Sequence, residues 1–203
     1  MIAKGAVLPL FYLPPVEYFV QLNVYKPDIL LEKEEHFPKQ TYRNRAHIYS
    51  PDGILCLTVP VTKGSKTHTK VKDVKISYDF DWQRLHWLSL QSCYRQSPYF
   101  EYYEDDFVVF YKKKYEYLFD YNQQLLAFIL KSIKLQADLK FTETYEADYP
   151  DRTDFRLTIH PKHESGIEQK PYYQVFDERK GFLKNLSIID LLFNQGPHSV
   201  NYL

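Results

Sequence analysis

The sequence has no excess of either charge: 26 lysines and arginines stand against 26 aspartates and glutamates, a formal net charge of zero with histidines neutral. General nucleic-acid binding through phosphates ordinarily shows a basic surplus, so the balance argues against that class, although it does not exclude a local basic patch. Long apolar runs are missing too. The longest clean one beyond the N-terminal region, Leu125 to Leu130, is far below the ~20 residues of a membrane span. Met1 to Gly5 and the proline-broken run after them do not form a secretory signal. Cysteine is scarce. Cys56 and Cys93 lie in apolar contexts without CxxC or metal-ligand spacing, which predicts two reduced, buried thiols and a cytoplasmic protein. P-loop, GxGxxG, GxSxG and HExxH patterns are all missing, so serine-nucleophile and zinc-protease chemistry fall away, and no motif names a cofactor. His160 and His163 have no third ligand nearby in sequence, which argues against a metal.

What is abundant is tyrosine: 19 Tyr beside 14 Phe and 2 Trp. An apolar body with a polar tip suits half-wet surfaces such as ligand clefts and subunit contacts. Polar function is concentrated between Glu34 and Arg45, in the run Glu34-Glu35-His36-Phe37-Pro38-Lys39-Gln40-Thr41-Tyr42-Arg43-Asn44-Arg45. Two readings apply. It is either a solvated loop leading into an edge strand, or one wall of a site for a phosphate- or carboxylate-bearing small molecule. In the second reading Lys39, Arg43 and Arg45 clamp the anion, Gln40 and Asn44 orient polar groups, Tyr12 and Tyr42 border the site, and Glu35 or His36 moves a proton. If Tyr42 to Tyr49 is a strand, Arg43, Arg45 and His47 share one face and would repel one another unless Glu34 or Glu35 neutralises them. Arg43→Lys and Arg45→Lys are then expected to fold normally and lose anion binding.

Read along the chain, Ala6 to Phe11 predicts a short strand, with Pro9 favouring an edge or a strand end. Pro15 to Tyr25 has helical spacing, and Asp28 to Glu32 reads as a second strand, together the size of a βαβ unit. Such units bind ligands at the carboxyl ends of their strands, here Tyr12-Leu13 and Glu32 to Phe37. Tyr42 to Val61 predicts a hairpin turning at Ser50-Pro51-Asp52-Gly53. Thr62 to Lys72, with Lys63, Gly64, Lys66, His68, Lys70 and Lys72, is a basic loop, either solvated or a lid over an anion. Val74 to Tyr78 predicts a strand. Trp82 to Arg95, capped by Asp79 or Asp81, and Tyr115 to Ile133 predict helices. His86 falls on the inner face of the first, as a core histidine or a catalytic base. Glu104-Asp105-Asp106 reads as charge at a helix N-terminus. Ala137 to Thr144 predicts a last strand and Tyr145 to Gln169 a long polar loop. Asn185 or Ser187 caps a short apolar helix through Asn194, with Asp190 in a capping-box relation, and that helix must dock on its own core or on a second subunit. The sum is one α/β domain, a mixed sheet with a β-hairpin and packed helices.

Several of these residues together resemble the WbqC-like protein family. The resemblance rests on Tyr12-Leu13-Pro14 followed by Tyr18-Phe19, on Phe37 to Arg45, on Leu57-Thr58-Val59-Pro60-Val61, on Trp82 with His86 and Tyr94, and on Asn185 to Asn194 with Gly196. It spans nearly the whole of residues 1–203. Many relatives carry His-Gln-Pro just before the Tyr-Leu-Pro and Trp-Gly inside the turn; here those places hold Leu8, Pro9 and Leu10, then Pro15 and Glu17. The resemblance implies a role in bacterial surface polysaccharide (O-antigen type) biosynthesis, and a transferase that adds an amino acid or a nucleotidyl group to a sugar. The order strand, proline turn, helix, strand and basic stretch is also loosely similar to nucleotidylyltransferase domains, without their HxGH signature. The alternative is a non-catalytic binding or assembly protein that uses the polar stretch as a homodimer contact.

Overall fold

A computed structural model describes residues 5–62 and 68–203. Gly5–Pro9 forms β1, Val16–Tyr25 forms α1 and Ile29–Glu32 forms β2. The two strands are parallel, with Ala6 opposite Ile29 and Pro9 opposite Glu32, so this segment is the βαβ unit that its sequence predicts. Pro9 falls at the strand end, where its missing N–H removes little from the ladder. Leu139–Phe141 (β5) pairs parallel with β2, and Arg152–Asp154 (β6) pairs parallel with β1, giving the order β5-β2-β1-β6. All four strands end on the same side. The chain leaves β1 towards β2 and returns to its other flank only with β6, so the carboxyl ends of β1 and β6 border a switch in topology.

Arg45–Ser50 (β3) and Gly53–Thr58 (β4) form a separate antiparallel hairpin, with Arg45 opposite Thr58 and His47 opposite Cys56. Trp82–Tyr94 (α2), Phe100–Lys112 (α3) and Leu118–Ser132 (α4) follow, and Asp81 caps α2 by accepting from the Arg84 N–H. Asp177–Lys180 (α5) is one turn long. Ile188–Gln195 (α6) docks on β3, α1 and α3 of its own chain, and almost all of it is buried. Its apolar residues meet a core built of Phe19, Leu22, Tyr94, Phe100 and Phe107. The burial of so many aromatic side chains supplies the driving force, about 1.5–3 kcal/mol for each large apolar side chain removed from water.

Several expectations are corrected. The hairpin strand begins at Arg45, not Tyr42, so Arg43 sits in the preceding turn and does not share a strand face with Arg45 and His47. Val74 to Tyr78 is not a strand; only single bridges form, Lys75 with Tyr117 and Ile76 with Val61. Glu104, Asp105 and Asp106 lie inside α3, one turn past its start, and are not its cap. The polar segment Tyr145 to Gln169 contains β6, which its lack of period concealed. Ser187 does cap α6, accepting from the Ile189 N–H, but Asp190 turns inward and accepts from Tyr172 and Gln174, so no capping box forms. Both cysteines are free, yet only Cys93 is buried; Cys56 is exposed because it alternates outward from Leu57 on β4. Among the described residues no helix is long and apolar enough to cross a membrane.

Candidate functional site

The carboxyl ends of the parallel strands carry a dense charge network. Glu32 closes β2 with none of its surface exposed. Its carboxylate accepts from the Glu34 and Glu35 N–H groups (2.6 and 3.2 Å), Thr142 Oγ1 (2.9 Å), the Tyr149 hydroxyl (3.3 Å) and Arg156 Nη1 (3.4 Å). Arg156, just past β6, also donates to Asp154 and to the carbonyls of Glu146 and Ala147. Arg43, 1% exposed, donates Nε to Glu35 Oε1 at 2.9 Å and Nη2 to the Arg156 carbonyl at 3.2 Å. Its guanidinium lies over the Phe11 ring, 5.6 Å from the centroid. Its own carbonyl accepts from Asn122 of α4 at 2.8 Å, which ties the turn to the helical layer. Three carboxylates, Glu32, Glu35 and Asp154, thus meet two guanidinium groups. Burial pushes the Glu35 carboxyl up and the Arg43 guanidinium down, and their mutual attraction opposes both shifts.

Across Phe11 lies a second region with the opposite character. Tyr42 packs on Phe11 at 5.7 Å and edge-on to His47 at 5.4 Å. Arg45 and His47 point to the outer face of β3, where Thr58 and Cys56 oppose them on β4. The Arg45 guanidinium makes no hydrogen bond or ion pair among the described residues, and its Nε is buried without a partner. The Tyr42 hydroxyl and the His47 ring nitrogens have no hydrogen-bond partner among those residues either, although Tyr42 is only 5% exposed. Burial, then the neighbouring Glu17 and Cys56, pushes the Tyr42 phenol up to about 12, so it is a donor at neutral pH. Burial and the Arg45 charge push His47 down, so it is neutral there. The rim is anchored by Asn185, which accepts from the Glu17 N–H and donates to the Glu17 carboxylate. Ser187 donates its N–H to the His47 carbonyl. Leu13 and Asn185, at the entries to α1 and α6, both hold left-handed backbone (φ 42° and 54°). Such strain persists only where the surroundings impose it.

The structure distributes the other candidate residues widely. Tyr12 and His86 sit in the aromatic core: the Tyr12 hydroxyl hydrogen-bonds to His86 Nδ1 and to the Tyr111 hydroxyl, each at 3.0 Å. Burial pushes His86 down to about 4, so it is a neutral imidazole at physiological pH. Tyr111 also lines a cavity of about 410 Å³ between α2 and α3, together with Asp81, Trp87 and Glu104. Asn44 donates to the Val59 carbonyl and fixes the hairpin base. His36 is exposed and faces His68 at 4.9 Å, and Lys39 and Gln40 occupy an exposed turn in which Gln40 has a φ of 62°. Lys70 and Lys72 both donate to Glu34 and hold its carboxyl below the usual range. Lys63, Gly64 and Lys66, the middle of the basic loop, lie outside the described residues. Among the described residues no group of three or more His, Cys, Asp or Glu side chains could hold a metal ion.

Sequence reasoning took Glu32 only as a strand end and did not single out Asp154 or Arg156. A carboxylate closing a strand that ends beside other parallel strands was a usable signal for Glu32. Nothing in the aperiodic segment around Arg156 offered one.

The model of the WbqC-like protein family matches residues 11–166, which takes in both regions. An uncharacterised protein of Mycobacterium tuberculosis, Rv1507c, is 26% identical over 228 residues, covering 98% of this chain and 97% of its own length. No solved structure matches. With the family match extending from Phe11 through the hairpin to the histidine-containing loop after β6, the chain belongs to the WbqC-like protein family.

Proposed function

We propose that the protein is a group transferase acting on a phosphate- or carboxylate-bearing substrate, with the anion held on the outer face of the hairpin by Arg45, Tyr42 and His47. The observation that carries this reading is the unpaired Arg45 guanidinium, whose Nε is buried without an acceptor. Leaving such a donor unsatisfied costs about 1–3 kcal/mol, which a bound carboxylate or phosphate would recover. Tyr42 and His47 add two donors or acceptors that no described residue uses. Glu35, whose carboxylate is held by Arg43, belongs to the paired network and does not contact this anion. Arg43 already has Glu35 as partner and serves to position it. The setting of this reading is bacterial surface polysaccharide biosynthesis, with amino-acid or nucleotidyl transfer to a sugar as the reaction, as the resemblance of the sequence implies. Positioning and charge stabilisation can carry such transfers with little covalent help from the protein.

A second reading, a non-catalytic subunit contact, is favoured by Ile54, 59% exposed on the same outward face as Cys56. A thermal-shift screen with sugar nucleotides, nucleotides, acyl-CoA and amino acids separates the two, since a ligand of the folded state raises the melting temperature by mass action. The transferase reading expects a rise with an anionic compound that Arg45→Gln abolishes. A concentration-dependent dimer that Arg45→Gln splits, with no compound raising the melting temperature, would favour the contact.

A further inference from the structure

Cys56 occupies the same outward face as the unpartnered groups. It stands directly opposite His47 in the antiparallel ladder, where Cβ atoms are about 4.5–5.5 Å apart. Its Sγ lies 3.7 Å from Thr58 Oγ1, and the Tyr42 phenol is a near neighbour. His47 faces the thiol from β3 and Tyr42 lies near it from the turn before that strand, while Arg45, two residues along the same face and opposite Thr58, acts on His47, and Glu17 of α1 acts on the Tyr42 phenol. The Tyr42 side chain is buried and its hydroxyl finds no partner among the described residues, and the Arg45 guanidinium, next to His47 on the same face, is unpaired. An exposed thiol, a neighbouring imidazole and a free cation are what thiol exchange with an anionic reagent requires.

We propose that Cys56 is a thiol-modification site, taking anionic low-molecular-weight disulfides into a mixed disulfide, with His47 as the base and Arg45 as the element that draws the anion. In the exchange the Cys56 proton passes to His47 and the sulfur attacks one sulfur of the reagent disulfide. The S–S bond breaks, and the second half leaves as a thiolate that takes the proton back from His47. Cys56 is oxidised from thiol to disulfide and one half of the reagent is reduced to thiol. The attached group then covers Arg45 and Tyr42 and blocks the anion site, an effect that rests on the transferase reading; the exchange itself does not.

The test uses the whole chain with two disulfide probes, anionic 5,5′-dithiobis(2-nitrobenzoate) and neutral 2,2′-dithiodipyridine, at several pH values. The native protein is expected to release one thiolate per chain rapidly, with Cys93 reacting only in denaturant. Cys56→Ser removes the fast phase. His47→Ala is expected to slow it about tenfold or more with both reagents and to change its pH profile, as loss of a general base does. Arg45→Gln is expected to slow the anionic reagent alone. Circular dichroism verifies that each variant is folded. Equal rates for His47→Ala and parent with both reagents would reduce Cys56 to an exposed thiol and overturn the proposal. A rate with the anionic reagent that Arg45→Gln leaves unchanged would overturn the role of Arg45. If no anionic compound raises the melting temperature while exchange still depends on His47, the transferase reading fails and the thiol site stands.

Discussion

At the carboxyl end of the parallel sheet each buried charge has a partner, whereas across Phe11 the outer face of the hairpin holds a guanidinium with none among the described residues. Arg43 and Arg45 are two positions apart in sequence and separated by this difference. Arg43 precedes the strand, turns inward and pairs with Glu35; Arg45 opens the strand and turns outward beside His47. A self-satisfied network is a device for holding the switch point of the sheet together, since its members can bind a ligand only by giving up one another. An unsatisfied guanidinium on a rim with free tyrosine and histidine groups is available for recognition. The lesson is that polar density in a sequence marks a region, while the pairing within it decides which residue is free to act.

Changes at five positions, Glu34, Glu35, Lys39, Arg43 and Arg45, would break or sharpen this contrast. The largest effect is expected at Arg43. Arg43→Ala leaves Glu35 buried near Glu32 without its ion-pair partner and should destabilise the fold by about 3–5 kcal/mol in urea denaturation. Arg43→Lys loses the planar fork and should recover only part of that. The double variant Arg43→Met/Glu35→Leu should recover most of it, because no buried charge is then left alone.

Next comes Arg45. Arg45→Gln should not destabilise the protein and should stabilise it by up to about 1–3 kcal/mol, because no protein partner is lost and a buried unsatisfied donor is removed. Calorimetric titration with whichever anionic compound the thermal screen identifies should weaken by about ten- to a hundredfold, or 1.4–2.8 kcal/mol. A stability loss as large as that of Arg43→Ala would show that Arg45 has a structural partner after all.

Smaller, and opposite in sign, are the pH effects of the adjacent carboxyls. Glu35 is raised in the folded state, mainly by burial, so its contribution to stability is present at low pH and is lost as pH rises through its folded value. Glu34 is lowered by Lys70 and Lys72, so its contribution is present above the unfolded carboxyl value near 4.5 and is lost as pH falls through its folded value. Stability relative to the parent should therefore improve with rising pH for Glu35→Gln and worsen with rising pH for Glu34→Gln. Parallel trends in denaturation between pH 3 and 7 would contradict these assignments. The smallest effect is expected at Lys39, exposed on its turn: Lys39→Ala should change stability by less than about 0.5 kcal/mol, with weaker binding only if the ligand extends past the hairpin face.

Much of this arrangement was legible in the sequence. The βαβ start, the hairpin turn at Pro51-Asp52-Gly53, the Asp81-capped helix and the docking C-terminal helix follow from periodicity and capping chemistry. The family resemblance, too, could be drawn from spaced residues alone. What stayed hidden depends on contacts distant in sequence. β6 has three residues and no alternation, and it exists because β1 offers it a parallel edge. Arg156 is recruited by Glu32 from 124 positions away. Cys56 looked like a core residue from its apolar neighbours, yet strand alternation turned it outward while Leu57 turned in. The inward turn of Arg43 depended on where β3 begins, and boundaries of that kind are set by pairing more than by composition.

The account turns on the claim that Arg45, and not the already paired Arg43, is the cation that holds the substrate's anion. It is tested most directly by recording the ligand-induced rise in melting temperature for the parent and for Arg45→Gln across the same set of sugar nucleotides, nucleotides, acyl-CoA and amino acids. The account predicts a rise for at least one anionic compound in the parent and its loss in the variant, with no fall in the variant's unliganded melting temperature. A variant that retains the full rise would contradict it.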